Sequence, residues 1–155
     1  MNRPEQLTAL REQLEREGRS VVSINGCFDV LHRGHLRILE TAAGQGDIVI
    51  VGLNSDESVR LNKGPLRPLV SQEERAALLL SLRAVDYVYI FPEKDCMDFV
   101  RLARPHVHVN DVSYGPDCIE AETVRKVGAR LHLVEKINVS STTDLIQRIL
   151  DRYGK

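Results

Sequence analysis

Short apolar runs alternate with amphipathic segments along the whole chain, and that alternation restricts its fold more than any other feature. Residues 21–24, 47–51, 85–91, 107–109 and 131–134 read as strands. The run Ile48-Val49-Ile50-Val51 lacks polar alternation, as expected of a strand buried on both faces of a parallel sheet, and Gly52 is expected to end it. Helical spacing or capping signals mark 4–17, 34–44, 55–62, 71–82, 95–103, 119–127 and 141–152. Ser71-Gln72-Glu73-Glu74 is a capping box, and Gly64, Pro65 and Pro68 make 63–70 a loop. Alternating strands and helices imply right-handed crossovers and an α/β fold, a doubly wound parallel sheet of five strands. No linker or repeat interrupts it, so 1–155 reads as one domain with a helix over 1–18 appended ahead of the first strand.

A chain of 155 residues buries roughly 70% of its unfolded surface and needs no covalent staple. Its net charge of −1 supplies no global field for nucleic acid or an anionic membrane, so neither is an expected partner. Any anion must be held by local groups. Cys27, Cys96 and Cys118 are far apart and odd in number, with no Cys-x-x-Cys, which argues against a disulfide framework or a structural zinc site. The N-terminal residues lack a signal-peptide apolar region, and no apolar run is long enough to span a bilayer. A cytoplasmic protein is the expectation.

The stretch Asn25-Gly26-Cys27-Phe28-Asp29-Val30-Leu31-His32-Arg33-Gly34-His35 joins the end of the first strand to a helix start. A strand, a glycine turn and a helix N-terminus present backbone N–H groups and a helix dipole to an anion. His32 and His35 are three apart and share one side of the helix start. Zinc ligation by the pair lacks a third ligand nearby, whereas donation to phosphate needs none. In doubly wound sheets ligands bind at the carboxyl ends of the strands, which is where this segment falls.

These residues resemble the signature of the cytidylyltransferase-like nucleotidyltransferase superfamily, which carries a Gly-x-Phe-Asp stretch and a His-x-Gly-His motif. Asn54-Ser55-Asp56, Lys63-Gly64, Arg67-Pro68, Glu74-Arg75 and Ser141-Thr142-Thr143 extend the resemblance to the adenylyltransferase domain that activates heptose 1-phosphate. The resemblance implies a Rossmann-like nucleotidyltransferase fold and transfer of a nucleoside monophosphate from an NTP, first of all ATP, to a phosphorylated acceptor. It implies that His32, His35 and Lys63 are catalytic. Gly26, Cys27, Phe28, Gly34, Arg75, Ser141, Thr142 and Thr143 would bind the nucleotide, and Asp29, Asp56 and Asn110 the acceptor. Mg²⁺ is the implied cofactor, held mainly by triphosphate oxygens, with no protein metal ligands assigned. A homodimer is a further expectation, and the Leu7, Leu10 and Leu14 stripe suits either a dimer contact or packing on the sheet.

One segment departs from that pattern. Where the heptose-type domains have Lys-Gly-Gly-Asp-Tyr, this chain has Asn110-Asp111-Val112-Ser113-Tyr114. The change leaves room for a different acceptor, such as glycerol 3-phosphate with CTP, or for a module that binds nucleotide without turnover. The intact His32, His35 and Lys63 weigh against the latter. The first turn lacks Gly-x-Gly-x-x-Gly, which weighs against a dinucleotide-dependent dehydrogenase. His106, His108 and His132 match no motif and read as structural.

Overall fold

The computed structural model describes residues 1–135 and 141–154. The elements run α1 Pro4–Arg16, β1 Val21–Gly26, α2 Arg33–Ala43, β2 Ile48–Asn54, α3 Asp56–Lys63, α4 Gln72–Leu80, β3 Tyr87–Phe91, α5 Met97–Ala103, β4 Val107–Asp111, α6 Ala121–Lys126, β5 Arg130–Val134 and α7 Thr142–Tyr153. A short 3₁₀ turn, Val112–Tyr114, follows β4. The five strands are all parallel, in the order β3-β2-β1-β4-β5. The chain moves outward from β1 through β2 to β3, then returns to build β4 and β5 on the other side. The direction of winding therefore reverses between β1 and β4, and a crevice opens at their carboxyl ends.

Period-two alternation in the strands divides the core between the two faces of the sheet. Val22, Ile24, Val49, Val51, Leu53 and Val109 pack with Leu39 and Leu79 of α2 and α4. Val21, Ile48 and Ile50 pack with Leu7 and Leu14 of α1, Phe99 and Val100 of α5, and Val124 of α6. All seven residues of β2 are buried, as its unbroken apolar run requires. The leucine stripe of α1 is taken up inside the chain, with Leu7 fully buried and Leu14 nearly so.

Gly52 does not end β2. The strand continues to Asn54, paired with β1 on one side and β3 on the other. Glycine is required there because the Phe99 ring lies against its Cα. A Cβ would stand 2.5 Å from Phe99 Cδ1. No helix among the described residues is long and apolar enough to cross a membrane.

Gly52→Ala is expected to destabilise the fold by about 1–3 kcal/mol through overpacking. In urea denaturation, adding Phe99→Leu to that variant should recover part of the loss; an additive double variant would contradict the contact.

Candidate active site

A crevice of about 480 Å³ lies at the carboxyl ends of β1 and β4. It is walled by the turn after β1, the first turn of α2, the end of α3, the segment after β4 and the start of α7. Of the residues singled out from sequence, Gly26, Cys27, Phe28, Asp29, His32, Gly34, His35, Lys63, Asn110, Ser141, Thr142 and Thr143 all line it. Arg75 and Asp56 do not.

The turn after β1 is made by an unusual backbone. Phe28 has φ +46°, a left-handed conformation that costs a side-chain-bearing residue about 1–2 kcal/mol. The conformation folds the Phe28 ring back over Gly26, where an added Cβ would meet Phe28 Cε2 at 3.0 Å. The N–H groups of Cys27 and Phe28 donate to no acceptor among the described residues, so both remain available to an anion. Burial raises the Cys27 thiol above its ordinary value, against the pull of Lys63, Arg75 and Arg67. A protonated thiol at neutral pH fits a packing role rather than a nucleophile.

His32 caps α2, its Nδ1 accepting the Gly34 N–H at 3.1 Å. That bond leaves Nε2 free to face the crevice. The His32 and His35 rings stack with centroids 3.8 Å apart, and Phe28 packs on His35 at 5.2 Å. His35 Nδ1 is buried with no hydrogen-bond partner among the described residues. Burial, and then the neighbouring His32, push His35 down to about 4. Burial also lowers His32, with Asp144 opposing. Without a ligand the pair is therefore neutral at pH 7. A bound polyphosphate would reverse the balance, because an anion favours the charged imidazolium.

Lys63 ends α3, is exposed, and makes no hydrogen bond or ion pair among the described residues. Its loop is anchored from below. The buried Asp29 carboxylate accepts the Leu69 and Val70 N–H groups at 2.8 and 3.0 Å and an ion-paired hydrogen bond from Arg67. Asp29 thus lines the crevice but its oxygens are committed to the loop, which corrects its reading as an acceptor ligand. Across the crevice, Ser141 caps α7 in a reciprocal box with Asp144, and the Thr142 hydroxyl donates to Val30 O at 3.3 Å. Asn110 lies at the crevice floor, its amide nitrogen donating to Glu120.

Arg75 needs correction in another way. It is fully buried beneath the site and is neither a surface residue nor a nucleotide ligand. Its guanidinium donates to Val70 O and Asn54 O at 3.0 and 2.9 Å, to Cys27 O, and to Asp56 Oδ1 at 2.7 Å. Asp56 is consumed in the same contact. Arg37 and Arg67 line the crevice as well and add positive charge. Arg67 was visible beside Pro68 in the sequence without an assigned role. Arg37 carries no motif, and only the packing of α2 reveals it. His106 and His132 hold structural bonds, to the Val21 N–H and to Arg130.

Two outcomes separate the strut from the pocket. Arg75→Met should lose about 3–5 kcal/mol of stability by stranding three carbonyls and the half-buried Asp56 carboxylate, whereas Lys63→Ala should stay within about 0.5 kcal/mol of the parent in urea titration. His35 gives a pH signature. Its folded pKa of about 4 lies below its ordinary 6.5, so the unfolded chain binds more protons between them. The His35 contribution is whole above 6.5 and is lost as pH falls toward 4. The fall in Tm over this window should be shallower in His35→Asn than in the parent; parallel curves would refute the burial argument.

Comparison with known proteins agrees with this geometry. The bifunctional protein HldE of Syntrophotalea carbinolica is 43% identical over 149 residues, covering 94% of this chain and 30% of that protein. HldE of Geobacter sulfurreducens is 43% identical over 140 residues, covering 90% of this chain and 29% of that protein. The chain thus spans under a third of the length of these relatives. A lipopolysaccharide core biosynthesis protein from Thermoplasma volcanium superposes with TM-score 0.63 at 28% identity, over 79% of this chain and all of that one. A pantoate-beta-alanine ligase from Francisella tularensis, at TM-score 0.68 and 12% identity over 97% of this chain and 77% of that one, shares the fold alone. With the family's profile matched over residues 23–154, most of its length, the chain belongs to the cytidylyltransferase-like family.

Proposed function

We propose that this chain is a nucleotidyltransferase domain that moves AMP from ATP to the phosphate of a sugar phosphate, with heptose 1-phosphate the first candidate, and releases pyrophosphate. The observation that carries the reading is the stacked His32–His35 pair at the N-terminus of α2, facing a crevice that also takes Lys63 and two unoccupied backbone N–H groups. The similarity to HldE supports the choice of acceptor. A phosphate oxygen of the acceptor attacks the α-phosphorus in line. The bond to the bridging oxygen breaks, and pyrophosphate leaves with its electron pair. Negative charge spreads over the phosphoryl oxygens as this happens, so donors already in place lower the barrier.

In this reading the Cys27 and Phe28 N–H groups hold the α-phosphate, and the imidazoles become charged as the triphosphate enters. Lys63, on the last turn of α3, closes toward the leaving group. The start of α7 serves the nucleotide with its amides, since the Ser141 and Thr142 hydroxyls already have partners. Mg²⁺ fits a carrier role. Asp29 is committed to the loop, and among the described residues no three-carboxylate cage faces the crevice, so the ion would come with the triphosphate and screen its charge. Three unpaired cysteines support a cytoplasmic setting.

A second acceptor is favoured by one observation. Asn110 stands where the heptose-type domains carry a lysine, and its amide is tied to Glu120 rather than free to bind a phosphate. A smaller phosphorylated alcohol with CTP is the reading that would follow.

Pyrophosphate release should be followed with ATP and CTP, each against heptose 1-phosphate and glycerol 3-phosphate. ATP with the sugar phosphate is the expected pair, and His35→Ala should lower kcat by about 10²–10³, the usual effect of removing one oxyanion donor. CTP with glycerol 3-phosphate would establish the second reading. Nucleotide binding with no turnover on any pair would leave a binding module.

A further inference from the structure

A second constellation lies on the opposite face of the sheet from the histidine pair. His108 alternates with Val107 and Val109 of β4, which face α2, so its ring points to the α5–α6 side. There it meets Cys96, the residue before α5, and Glu120, the residue before α6. His108 is fully buried, and Cys96 and Glu120 are each 3% exposed. The thiol sulfur, an imidazole nitrogen and a carboxylate oxygen all lie within 4.8 Å of one another. His108 Nδ1 is 2.7 Å from Ser23 Oγ, while its Nε2 has no hydrogen-bond partner among the described residues and faces Glu120 Oε1 at 3.8 Å. Cys118 lies beside the cluster, its buried thiol interacting with Glu120 and Asn110.

An ion pair is an incomplete account of this arrangement. The His108–Glu120 separation is too long for a hydrogen bond, so a buried donor or acceptor stays unsatisfied at a cost of about 1–3 kcal/mol. One dication held between them would resolve that conflict. The supporting bonds can take the form that metal ligands require: in the tautomer whose Nδ1–H donates to Ser23 Oγ, Nε2 carries the lone pair, and Asn110 orients Glu120.

We propose that Cys96, His108 and Glu120 form a buried site for a thiophilic divalent cation, zinc being the ion this donor set fits, with Cys118 placed to supply a fourth ligand. Mixed sulfur, nitrogen and oxygen donors in a closed site are zinc chemistry. Zinc–ligand bonds of about 2.0–2.3 Å place tetrahedral ligands about 3.3–3.7 Å apart, so the three atoms need close by about 1.5 Å at most. On binding, each coordinating thiol releases its proton to solvent and a sulfur–metal bond forms, with no change of oxidation state. With Cys96 alone ionised, one thiolate and one carboxylate neutralise the dication; recruiting Cys118 as a second thiolate would leave the site with one net negative charge. The ion would also reach the crevice. Glu120 holds Asn110, and Asn110 starts the altered segment before Tyr114, so the metal would brace that wall. Sequence spacing argued against a structural zinc site because the ligands come from three separate elements.

Cobalt titration of the full chain after chelator treatment tests this. One equivalent of Co²⁺ should bind with a thiolate-to-cobalt charge-transfer band in the near ultraviolet, and Zn²⁺ should abolish the band. Cys96→Ser and His108→Asn should each weaken binding at least about tenfold, while Cys27→Ser should keep the band. No saturable thiolate band, an unchanged titration in Cys96→Ser, or loss of the band in Cys27→Ser would each overturn the assignment. Should the cluster variants fail to fold, zinc content and a chelator-reversible rise in Tm of the parent chain decide: both present supports the site, and either absent overturns it.

Discussion

The buried guanidinium of Arg75 is the interaction on which the site depends. It gathers the carbonyls at the end of β1, at the end of β2 and at the close of the 63–70 loop, together with the Asp56 carboxylate at the start of α3. Backbone carbonyls at strand ends have no ladder partner, and burying them bare is costly. A planar group with five N–H donors on one rigid fork meets that demand where lysine could not. By holding the Cys27 carbonyl inward, it leaves the Cys27 and Phe28 N–H groups facing the crevice. Asp29 does the complementary task for the loop, so that Lys63 is carried on a supported segment. Two charged residues inside the fold thus place uncharged backbone and the Lys63 cation around the crevice.

The electrostatics of the crevice are poised rather than strongly positive. His32 and His35 are neutral without a ligand because burial and stacking disfavour two adjacent imidazolium ions. A bound polyphosphate would supply the charge that makes protonation favourable. Donor strength would then grow with such a ligand in place, where a permanently charged site would attract other anions equally well. The left-handed Phe28 contributes through shape: it turns the chain sharply after β1 and seats an aromatic ring against His35.

Much of this was legible before any coordinates. The unbroken run 48–51 announced a parallel sheet, the capping box at Ser71 and the cap at Ser141 marked helix starts, and the glycine turn before His32 marked a segment that the structure places in the crevice. Gly52 misled because a glycine in a strand reads as a terminator, whereas here it makes room for Phe99, 47 positions further along the chain. Arg75 misled for a related reason. An arginine one turn into an amphipathic helix reads as surface or ligand-facing, and the carbonyls that bury it come from three distant segments. Asp56 is tied to it from the half-buried start of α3.

Local properties, then, were written in the chain itself: hydrophobic period, turn chemistry, caps and the spacing of the histidine pair. Each depends on neighbours within a turn or two, so sequence order is enough to read it. The tertiary structure alone decided which polar groups are consumed and which are left open. Arg75, Asp29 and Asp56 became supports, Lys63 and the Phe28 amide have no partner among the described residues, and Cys96, His108 and Glu120 converged from three elements. Burial and hydrogen-bond satisfaction are set by contacts between residues far apart in sequence, and those distances exist only once the sheet has formed.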